Sequence, residues 1–317
     1  MVKLKVHIPD EFYKEEVRCG YTVTEEAKKL WAVQLDLLAE LDRVCRKYDI
    51  KYCADGGTLL GAVRHHGFIP WDNDMDIAML RSEFEKLNKV APSEFKSPYF
   101  WQTEETDPGS ARGHAQLRNS DTTGILPLEY EHQRNNNFNQ GIFIDIFPFD
   151  TVTDDQDRFN EQNRNRLKLN AEYKAILNSV NYFCFRPWRD ESGKLHTELR
   201  KLANHFRYKL SGTDYLSVYH SFIDEIKRYD STENTRFVAN LSLPIPVNQT
   251  LRNREDFDEL QYTDFEFMQI PVFIHYDRNL KRMYGDNYMT PIRSDSVHGS
   301  LIADTEKPYT WYLAQRK

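Results

Sequence analysis

Three aspartates spaced by two residues, Asp72, Asp74 and Asp76, lead into an apolar run within the stretch GGTLLGAVRHHGFIPWDNDMDIAM (residues 56–79). Side chains alternate between the two faces of a strand, so Asp74 and Asp76 would stand about 7 Å apart on one face. Carboxylates held that close repel each other unless a cation lies between them, and hard divalent ions such as Mg²⁺ prefer carboxylate oxygens. The pattern therefore favours a metal site, although Asp72 could equally be a solvated residue at the start of the strand.

A fourth acid, Asp145, interrupts the apolar segment GIFIDIFPFD (residues 141–150). A single charge in such a strand is costly unless it is paired, hydrogen-bonded or bound to a metal. A strand-end carboxylate paired with an arginine would also explain it. Taken with Asp74 and Asp76, Asp145 is interpreted as a catalytic residue and as the third ligand of a site for Mg²⁺, or for Mn²⁺ in its place. Asp72 is a candidate for an additional ligand.

A glycine pair, Gly56 and Gly57, stands between a predicted strand and a predicted helix, followed by Thr58. Glycines at that position let backbone N–H groups approach a phosphate at the positive end of the helix, although many such pairs only form a tight turn. Guanidinium groups bind phosphate through two parallel hydrogen bonds, so Arg64 and Arg118 are further candidates for phosphate contacts. Either arginine could instead be an ordinary surface residue.

The elements that must position these residues follow from hydrophobic periodicity. A long helix is predicted over residues 24–48, with a capping box formed by Thr22 and Glu25. The remaining predicted strands are 51–54, 75–80, 99–103, 115–119, 141–147, 235–243 and 262–274, and the remaining predicted helices are 56–64, one starting near Ser82, 154–178, 195–211, 213–229 and 275–284. The chain becomes mostly helical beyond residue 150, which suggests a division there.

Composition narrows the functional class. The formal net charge of −7 over 317 residues argues against a broad nucleic-acid-binding surface, which needs an excess of lysine and arginine. The four cysteines include no C-x-x-C pair and are interpreted as buried free thiols. No apolar run approaches the ~20 residues of a membrane span, and the N-terminus does not resemble a signal peptide. We therefore expect a cytoplasmic protein without a transmembrane segment.

The order of these motifs resembles the nucleotidyltransferase superfamily, in which a glycine pair, a D-x-D strand and a later acid form a phosphate site with two metal ions. More specifically, DGGTLLGAVRHHGFIPWDNDMDIAM resembles the signature of the LicD family. QLRNSDTT (116–123), GIFIDIFPFD (141–150) and LKRMYGDNYMTP (280–291) resemble further blocks of that family in the expected order. Asn73 departs from the pattern, because many relatives carry another aspartate there, and the zinc-binding cysteines of the animal relatives are absent.

The resemblance implies an α/β (α+β) fold with a nucleotidyltransferase-like mixed sheet flanked by helices and a largely helical C-terminal elaboration. It implies an N-terminal extension (1–23), a catalytic core (24–150) and a C-terminal region (151–317) that completes the domain. It also implies a Mg²⁺-dependent transfer of phosphocholine, or a similar phospho-alcohol, from a CDP-activated donor to a hydroxyl of a cell-surface glycan or glycolipid, with release of CMP. A glycolipid acceptor would suit peripheral association with the inner face of the membrane.

In that reaction Asp74 and Asp76 would hold the metal against the diphosphate, and Asp145 would complete the metal site and accept the proton of the acceptor hydroxyl. If the alcohol is choline, its quaternary ammonium should lie among aromatic rings, for which FCFRPW (183–188) and the many tyrosines are candidates. Which alcohol is carried, the acceptor sugar, the oligomeric state and the roles of His65, His66 and Asp286 stay open.

Two other functions remain compatible with the residues. A nucleotidyltransferase would move NMP from an NTP to a small molecule through the same metal site and release pyrophosphate. A catalytically inactive member would only bind a nucleotide or a partner, but it would be expected to have lost metal acids, and Asp74, Asp76 and Asp145 are all present.

Overall fold

The computed structural model describes residues 1–126, 136–183, 188–189, 195–196, 199–293 and 301–315. The helices are α1 (Glu25–Lys47), α2 (Gly56–His65), α3 (Arg81–Glu94), α4 (Gln156–Val180), α5 (Leu199–Ser211), α6 (Tyr215–Ile226), α7 (Val247–Thr250), α8 (Tyr276–Tyr284) and α9 (Tyr309–Ala314). The strands are β1 (Glu16–Arg18), β2 (Tyr21–Val23), β3 (Cys53–Ala54), β4 (Asp76–Leu80), β5 (Tyr99–Gln102), β6 (Ala115–Asn119), β7 (Thr123–Ile125), β8 (Ile142–Val152), β9 (Trp188–Arg189), β10 (Leu195–His196), β11 (Phe237–Ala239), β12 (Arg252–Asn253), β13 (Leu260–Phe265), β14 (Met268–Phe273) and β15 (Ile302–Asp304). Short 3₁₀ helices span Asp10–Tyr13 and Arg254–Phe257.

A seven-stranded mixed sheet forms the centre of the described structure. Its main path runs β12-β11-β8-β4-β3, and β6 pairs with the first half of β8 while β5 pairs with β6. The contact between β4 and β8 is parallel, and the other contacts of this sheet are antiparallel. The mixed sheet with helices packed against it confirms the predicted α+β class.

Helix α1 is the main buried support of the sheet. Its apolar positions repeat at helical spacing, and Leu30, Leu37, Leu41 and Val44 are all buried. The cap differs from the prediction: the hydroxyl of Thr24, rather than Thr22, accepts the first free N–H, from Ala27. Thr22 instead lies in the short strand β2, so the N-cap of the helix is two residues further along the chain than the predicted capping box places it.

The division predicted at residue 150 falls inside β8, which continues to Val152. Strands β11 and β12, from the C-terminal half of the chain, extend the same sheet from the end of β8. A second group of buried residues packs helices α4 and α6 together beyond that end of β8, and it includes Tyr173, Leu177 and Phe222. The helical part of the chain therefore has a core of its own but shares the central sheet.

The segment 262–274, predicted as one strand, is a hairpin of β13 and β14 that starts at Leu260. The chain turns at Glu266, whose backbone is left-handed with a φ of 56°. The Glu266 carboxylate accepts hydrogen bonds from the Arg18 guanidinium, which holds this turn against the N-terminal hairpin of β1 and β2. These long-range contacts favour the turn, although the local sequence reads as a continuous strand.

Within the described residues, no helix is both long enough and apolar enough to cross a membrane.

Candidate active site

The parallel contact between β4 and β8 places two aspartates side by side. Asp76 opens β4 and is the register partner of Asp145 in the middle of β8. The N–H of Asp145 also donates to the carbonyl of Met75 at 2.9 Å. Register partners on parallel strands point to the same face, so the two carboxylates that sequence analysis paired across 69 positions meet on one side of the sheet.

Helix α1 holds the loop that carries the other acids. The indole Nε1 of Trp31 donates to the carbonyl of Asp72 at 3.0 Å, and the amide of Gln34 donates to the carbonyl of Asn73 at 2.9 Å. Trp31 and Gln34 are both buried and lie one helical turn apart. Both hydrogen bonds hold the backbone of the loop formed by residues 72–74 on helix α1. The side chains of Asp72 and Asp74 line a cavity.

The glycine pair lets these acids approach the start of α2. A Cβ on Gly56 would stand 2.7 Å from Oδ2 of Asp76, and a Cβ on Gly57 would stand 2.7 Å from Oδ2 of Asp72. Gly56 also has a left-handed backbone with a φ of 53°. The structure thus shows a second reason for the glycines besides the approach of a phosphate: they make room for the carboxylates at the helix N-terminus.

Thr58 supports the site instead of lining it. Its hydroxyl accepts a hydrogen bond from the backbone N–H of Asp76 at 2.8 Å, and the side chain is buried. The hydroxyl of Thr58 is thus directed at the backbone of β4, and its predicted phosphate contact stays a prediction.

Several carboxyl groups lie close to the carboxyl group of Asp76. Burial raises the pKa of its carboxyl well above the usual range, and the nearby carboxylates of Asp74, Asp145 and Asp72 raise that pKa further. Asp74 and Asp76 line the same cavities as Gly56, so this accumulated charge faces open space. A cation placed among these oxygens would relieve the repulsion.

A hydrogen-bonded row on β6 orients Asp145. The amide of Gln116 donates to Oδ1 of Asp145 at 2.7 Å, and Nε2 of His114 lies 3.1 Å from the same oxygen. Burial lowers the pKa of His114, so we assign it the neutral form with the proton on Nε2. Its Nδ1 is buried and makes no hydrogen bond with the described residues.

Arg118 lies behind this row. Its guanidinium is fully buried and donates to Gln102, to the carbonyl of Gly141 and to Oε1 of Gln116. The structure therefore does not bring Arg118 to the cavity where a direct phosphate contact was predicted. The guanidinium instead holds the amide of Gln116 with its N–H group turned toward Asp145.

Arg64, in contrast, lines a cavity beside the aspartates, and its predicted phosphate contact stays a prediction. Its Nε donates to Nε2 of His65 at 2.8 Å, and one terminal nitrogen donates to the carbonyl of Tyr288 at 2.7 Å. The Arg64–His65 bond needs an unprotonated Nε2, and burial together with the Arg64 charge lowers the pKa of His65 to about 4. His65 thus orients Arg64, while His66 ends α2 in the left-handed conformation.

A second buried arginine contacts the start of α2. Arg252, 1% exposed, donates to Oδ1 of Asp55 through two nitrogens at 2.7 and 3.2 Å. Asp55 immediately precedes the glycine pair, and its N–H donates to the carbonyl of Asp76. The ion pair therefore connects the C-terminal half of the chain to the loop that presents the acids.

Two cavities meet at the acids. The smaller, of 410 Å³, is lined by both glycines, Arg64 and the aspartates 72, 74 and 76, together with the aromatic rings of Trp71, Tyr284 and Tyr288. The larger, of 680 Å³, is lined by Asp145, His114, Gln116 and Arg252, with apolar walls that include Phe147, Leu243 and Ile245. Gly56, Asp74, Asp76 and Tyr284 line both.

Sequence analysis missed four residues of this site. His114, directly before β6, and Gln116 within it alternate with apolar residues, which is a signal of a polar face that could have been noticed. Tyr284 belongs to the block LKRMYGDNYMTP, to which the sequence assigned no role, and in the structure it lies between the two cavities. Burial raises the pKa of its hydroxyl, and the carboxylates of Asp55, Asp76 and Asp72 raise it further. Arg252 carries no local signal. Of the aromatic segment 183–188, residues 184–187 and the side chain of Trp188 lie outside the described residues.

The mixed sheet, the glycine pair at the start of α2 and the aspartates on two adjoining parallel strands agree with the resemblance to nucleotidyltransferases. Residues 49–183 match the family model described as LicD/FKTN/FKRP, nucleotidyltransferase domain. This match spans the glycine pair and the aspartates 72, 74, 76 and 145, so residues 49–183 are similar to the LicD family.

Individual relatives agree with this assignment. The chain is 26% identical over 279 residues to the lipopolysaccharide cholinephosphotransferase LicD of Haemophilus influenzae, covering 83% of this chain and 91% of the relative. Shorter matches of 56 residues, at 41% and 40% identity, link it to the proteins RP689 of Rickettsia prowazekii and RT0683 of Rickettsia typhi. These two matches cover 18% of this chain, and 21% and 18% of the relatives.

Proposed function

We propose that the chain transfers phosphocholine, or a phospho-alcohol of the same class, from a CDP-activated donor to a hydroxyl of a glycan such as lipopolysaccharide, and releases CMP. The observation that carries this proposal is the meeting of two cavities at Asp74 and Asp76, with Asp145 on the larger side only. A transfer reaction needs two substrates on opposite sides of the reacting phosphorus, and this arrangement offers one cavity to each.

The donor set suits Mg²⁺. Asp74 and Asp76 provide the hard oxygen ligands that this ion prefers, and burial, followed by the nearby carboxylates, raises the pKa of Asp76. Across the described residues, no group of three or more His, Cys, Asp or Glu side chains is arranged to hold a metal ion by itself. The Mg²⁺ ion that we propose would be held by two carboxylates, Asp74 and Asp76, and its remaining ligands would be substrate phosphates and water. When bound, the ion would offset diphosphate charge and lower the pKa of the attacking hydroxyl.

The smaller cavity is assigned to the cytidine and diphosphate of the donor. The N-terminus of α2 and the Arg64 guanidinium both favour an anion there. The rings of Trp71, Tyr284 and Tyr288 offer faces for a base or for a quaternary ammonium group.

The larger cavity is assigned to the acceptor. Asp145 there accepts the proton of the attacking hydroxyl, and the bonds from Gln116 and His114 to its Oδ1 hold the carboxylate in a fixed orientation. The neutral His114 adds no positive charge that would lower the basicity of Asp145. Arg118 acts one step further away, because it fixes the amide of Gln116.

The test is a donor screen. The protein with Mg²⁺ is incubated with CDP-choline, CDP-ribitol or CDP-glycerol and a lipopolysaccharide acceptor, and CMP is quantified by chromatography. We expect CMP from one donor, and a loss of at least about 100-fold in Asp74→Asn and Asp145→Asn. Asp121→Asn, at an exposed aspartate outside both cavities, serves as the matched control and should keep full activity.

Two outcomes would reject the proposal. Release of pyrophosphate from an NTP, with no turnover of any CDP donor, would identify a nucleotidyltransferase instead. Binding of a CDP donor without turnover of any of the three donors, in the presence of acceptor and Mg²⁺, would identify a protein that only binds the nucleotide.

A further inference from the structure

Helix α5 exposes three large apolar side chains to solvent. Leu199, Phe206 and Leu210 are 63%, 55% and 85% exposed, which is high for large apolar side chains. Their spacing of seven and four residues puts all three on one face of the helix. An amphipathic helix at the surface of a protein normally turns that face to the core, so α5 has the opposite orientation.

The polar side of α5 attaches it to the protein. Nδ1 of His205 lies 2.7 Å from the carbonyl oxygen of Ser179 near the end of α4. The His205 ring also stacks on Phe183, with the ring centroids 4.1 Å apart. Rotating the helix to bury Phe206 would break both contacts, so the outward orientation of the apolar face is fixed by this anchor.

The same segment is strongly basic. Residues 199–213 contain Arg200, Lys201, Arg207 and Lys209 and no aspartate or glutamate, although the whole chain has a formal charge of −7. The side chains of Arg207 and Lys209 are exposed. In sequence they stand directly beside Phe206 and Leu210, which places them on the two flanks of the apolar face.

We propose that α5 docks the protein on an anionic phospholipid surface. Its apolar face would enter the boundary between headgroups and acyl chains, and Arg207 and Lys209 would contact lipid phosphates on either side. A second copy of this chain is a poor occupant, because two such faces would bring basic segments without any acid against each other. An anionic membrane offers both an apolar interior and the complementary charge.

This inference extends the proposed function, since an acceptor such as lipopolysaccharide is itself anchored in a membrane, but it does not depend on catalysis. The test therefore uses no substrate. The full chain is sedimented with vesicles of phosphatidylcholine alone and with vesicles that also contain phosphatidylglycerol. We expect binding to the anionic vesicles only, and release as NaCl is added, because salt screens the basic flanks.

Two variants separate the contributions of the helix. Phe206→Ser/Leu210→Ser removes apolar contact, and Arg207→Glu/Lys209→Glu reverses the flanking charge, and each should weaken vesicle binding at least about tenfold. All four side chains are exposed, so the melting temperature should stay unchanged. The matched control is Val17→Ser, at an apolar residue of β1 that is 69% exposed, and it should bind like the parent protein.

The proposal is overturned if the parent protein fails to sediment with anionic vesicles, or if Val17→Ser weakens binding as much as the α5 variants. It is also overturned if the chain forms a dimer in solution that Phe206→Ser/Leu210→Ser disrupts, because the apolar face would then serve self-association. A defect in CMP release with normal vesicle binding would concern the transferase proposal alone.

Discussion

Replacing Gly56 by alanine tests whether the glycine is there to admit the Asp76 carboxylate. The new Cβ would stand 2.7 Å from Oδ2 of Asp76, so that oxygen must retreat by about 0.7 Å to reach an ordinary contact of 3.4 Å. The left-handed backbone at Gly56 adds a cost of about 1–2 kcal/mol for any L-residue. For a chain of this length that lowers the melting temperature by about 2–3 °C.

The chain provides a matched control at Gly20. Its backbone is also left-handed, with a φ of 72°, but a Cβ there would have no neighbour within 4 Å. Gly20→Ala therefore carries the backbone strain without the displaced carboxylate. We expect both variants to lose a similar 2–3 °C in melting temperature, and only Gly56→Ala to lose activity, by about 10- to 100-fold, since misplacing a catalytic group by a fraction of an ångström already slows a reaction.

The assay is CMP release from the donor identified for the parent protein, measured with melting curves of all three proteins with and without Mg²⁺. If Gly56→Ala keeps the activity of Gly20→Ala, the carboxylate of Asp76 does not need its observed position and the reasoning is wrong. If Gly56→Ala instead unfolds, with a melting temperature far below that of Gly20→Ala, the close contact is structural rather than catalytic.

Three further predictions concern stability and the metal. Burial and the charge of Arg64 lower the pKa of His65 from 6.5 to about 4, so the unfolded chain binds more protons than the folded one between those two values. The stability of the protein therefore falls as the pH drops through that window. His65→Gln should show a shallower decline in melting temperature from pH 6.5 to 4.5, and equal slopes for the two proteins would contradict this prediction. Arg81→Met removes the cation that Asp150 contacts at 2.6 Å and leaves this buried carboxyl beside Asp230, so it should cost about 3–5 kcal/mol in urea unfolding. The double variant Arg81→Met/Asp150→Leu should regain much of that loss, and a double variant no more stable than Arg81→Met would contradict this reasoning. Chelation with EDTA should abolish CMP release and added Mg²⁺ should restore it, and release that persists in EDTA would exclude a metal requirement.

Local sequence patterns predicted the secondary structure correctly wherever the candidate site residues lie in one short segment. The apolar period of α1, the strand after the aspartates and the glycine pair all predicted the elements that the structure contains. The hypothesis that Asp145 joins Asp76 agrees with the structure because both acids break apolar strands, and charges in such strands need a common compensating environment. Errors arose where a contact far along the chain decides the conformation, as at Glu266, which turns because Arg18 binds it.

The difference between Arg64 and Arg118 shows why a residue type does not define a role. Both were predicted to contact phosphate, yet Arg64 follows the glycine pair on the same helix and faces the smaller cavity, whereas Arg118 stands on β6 with its guanidinium pointing into the protein. The surroundings of Arg118 depend on the antiparallel register of β6 with β8, which pairs residues 23 to 31 positions apart. The same register brings Gln116 opposite Asp145, and Arg118 donates to Gln116 and lines neither cavity. The proposed base and the residues that orient it could therefore be told apart only once the pairing of the strands was known.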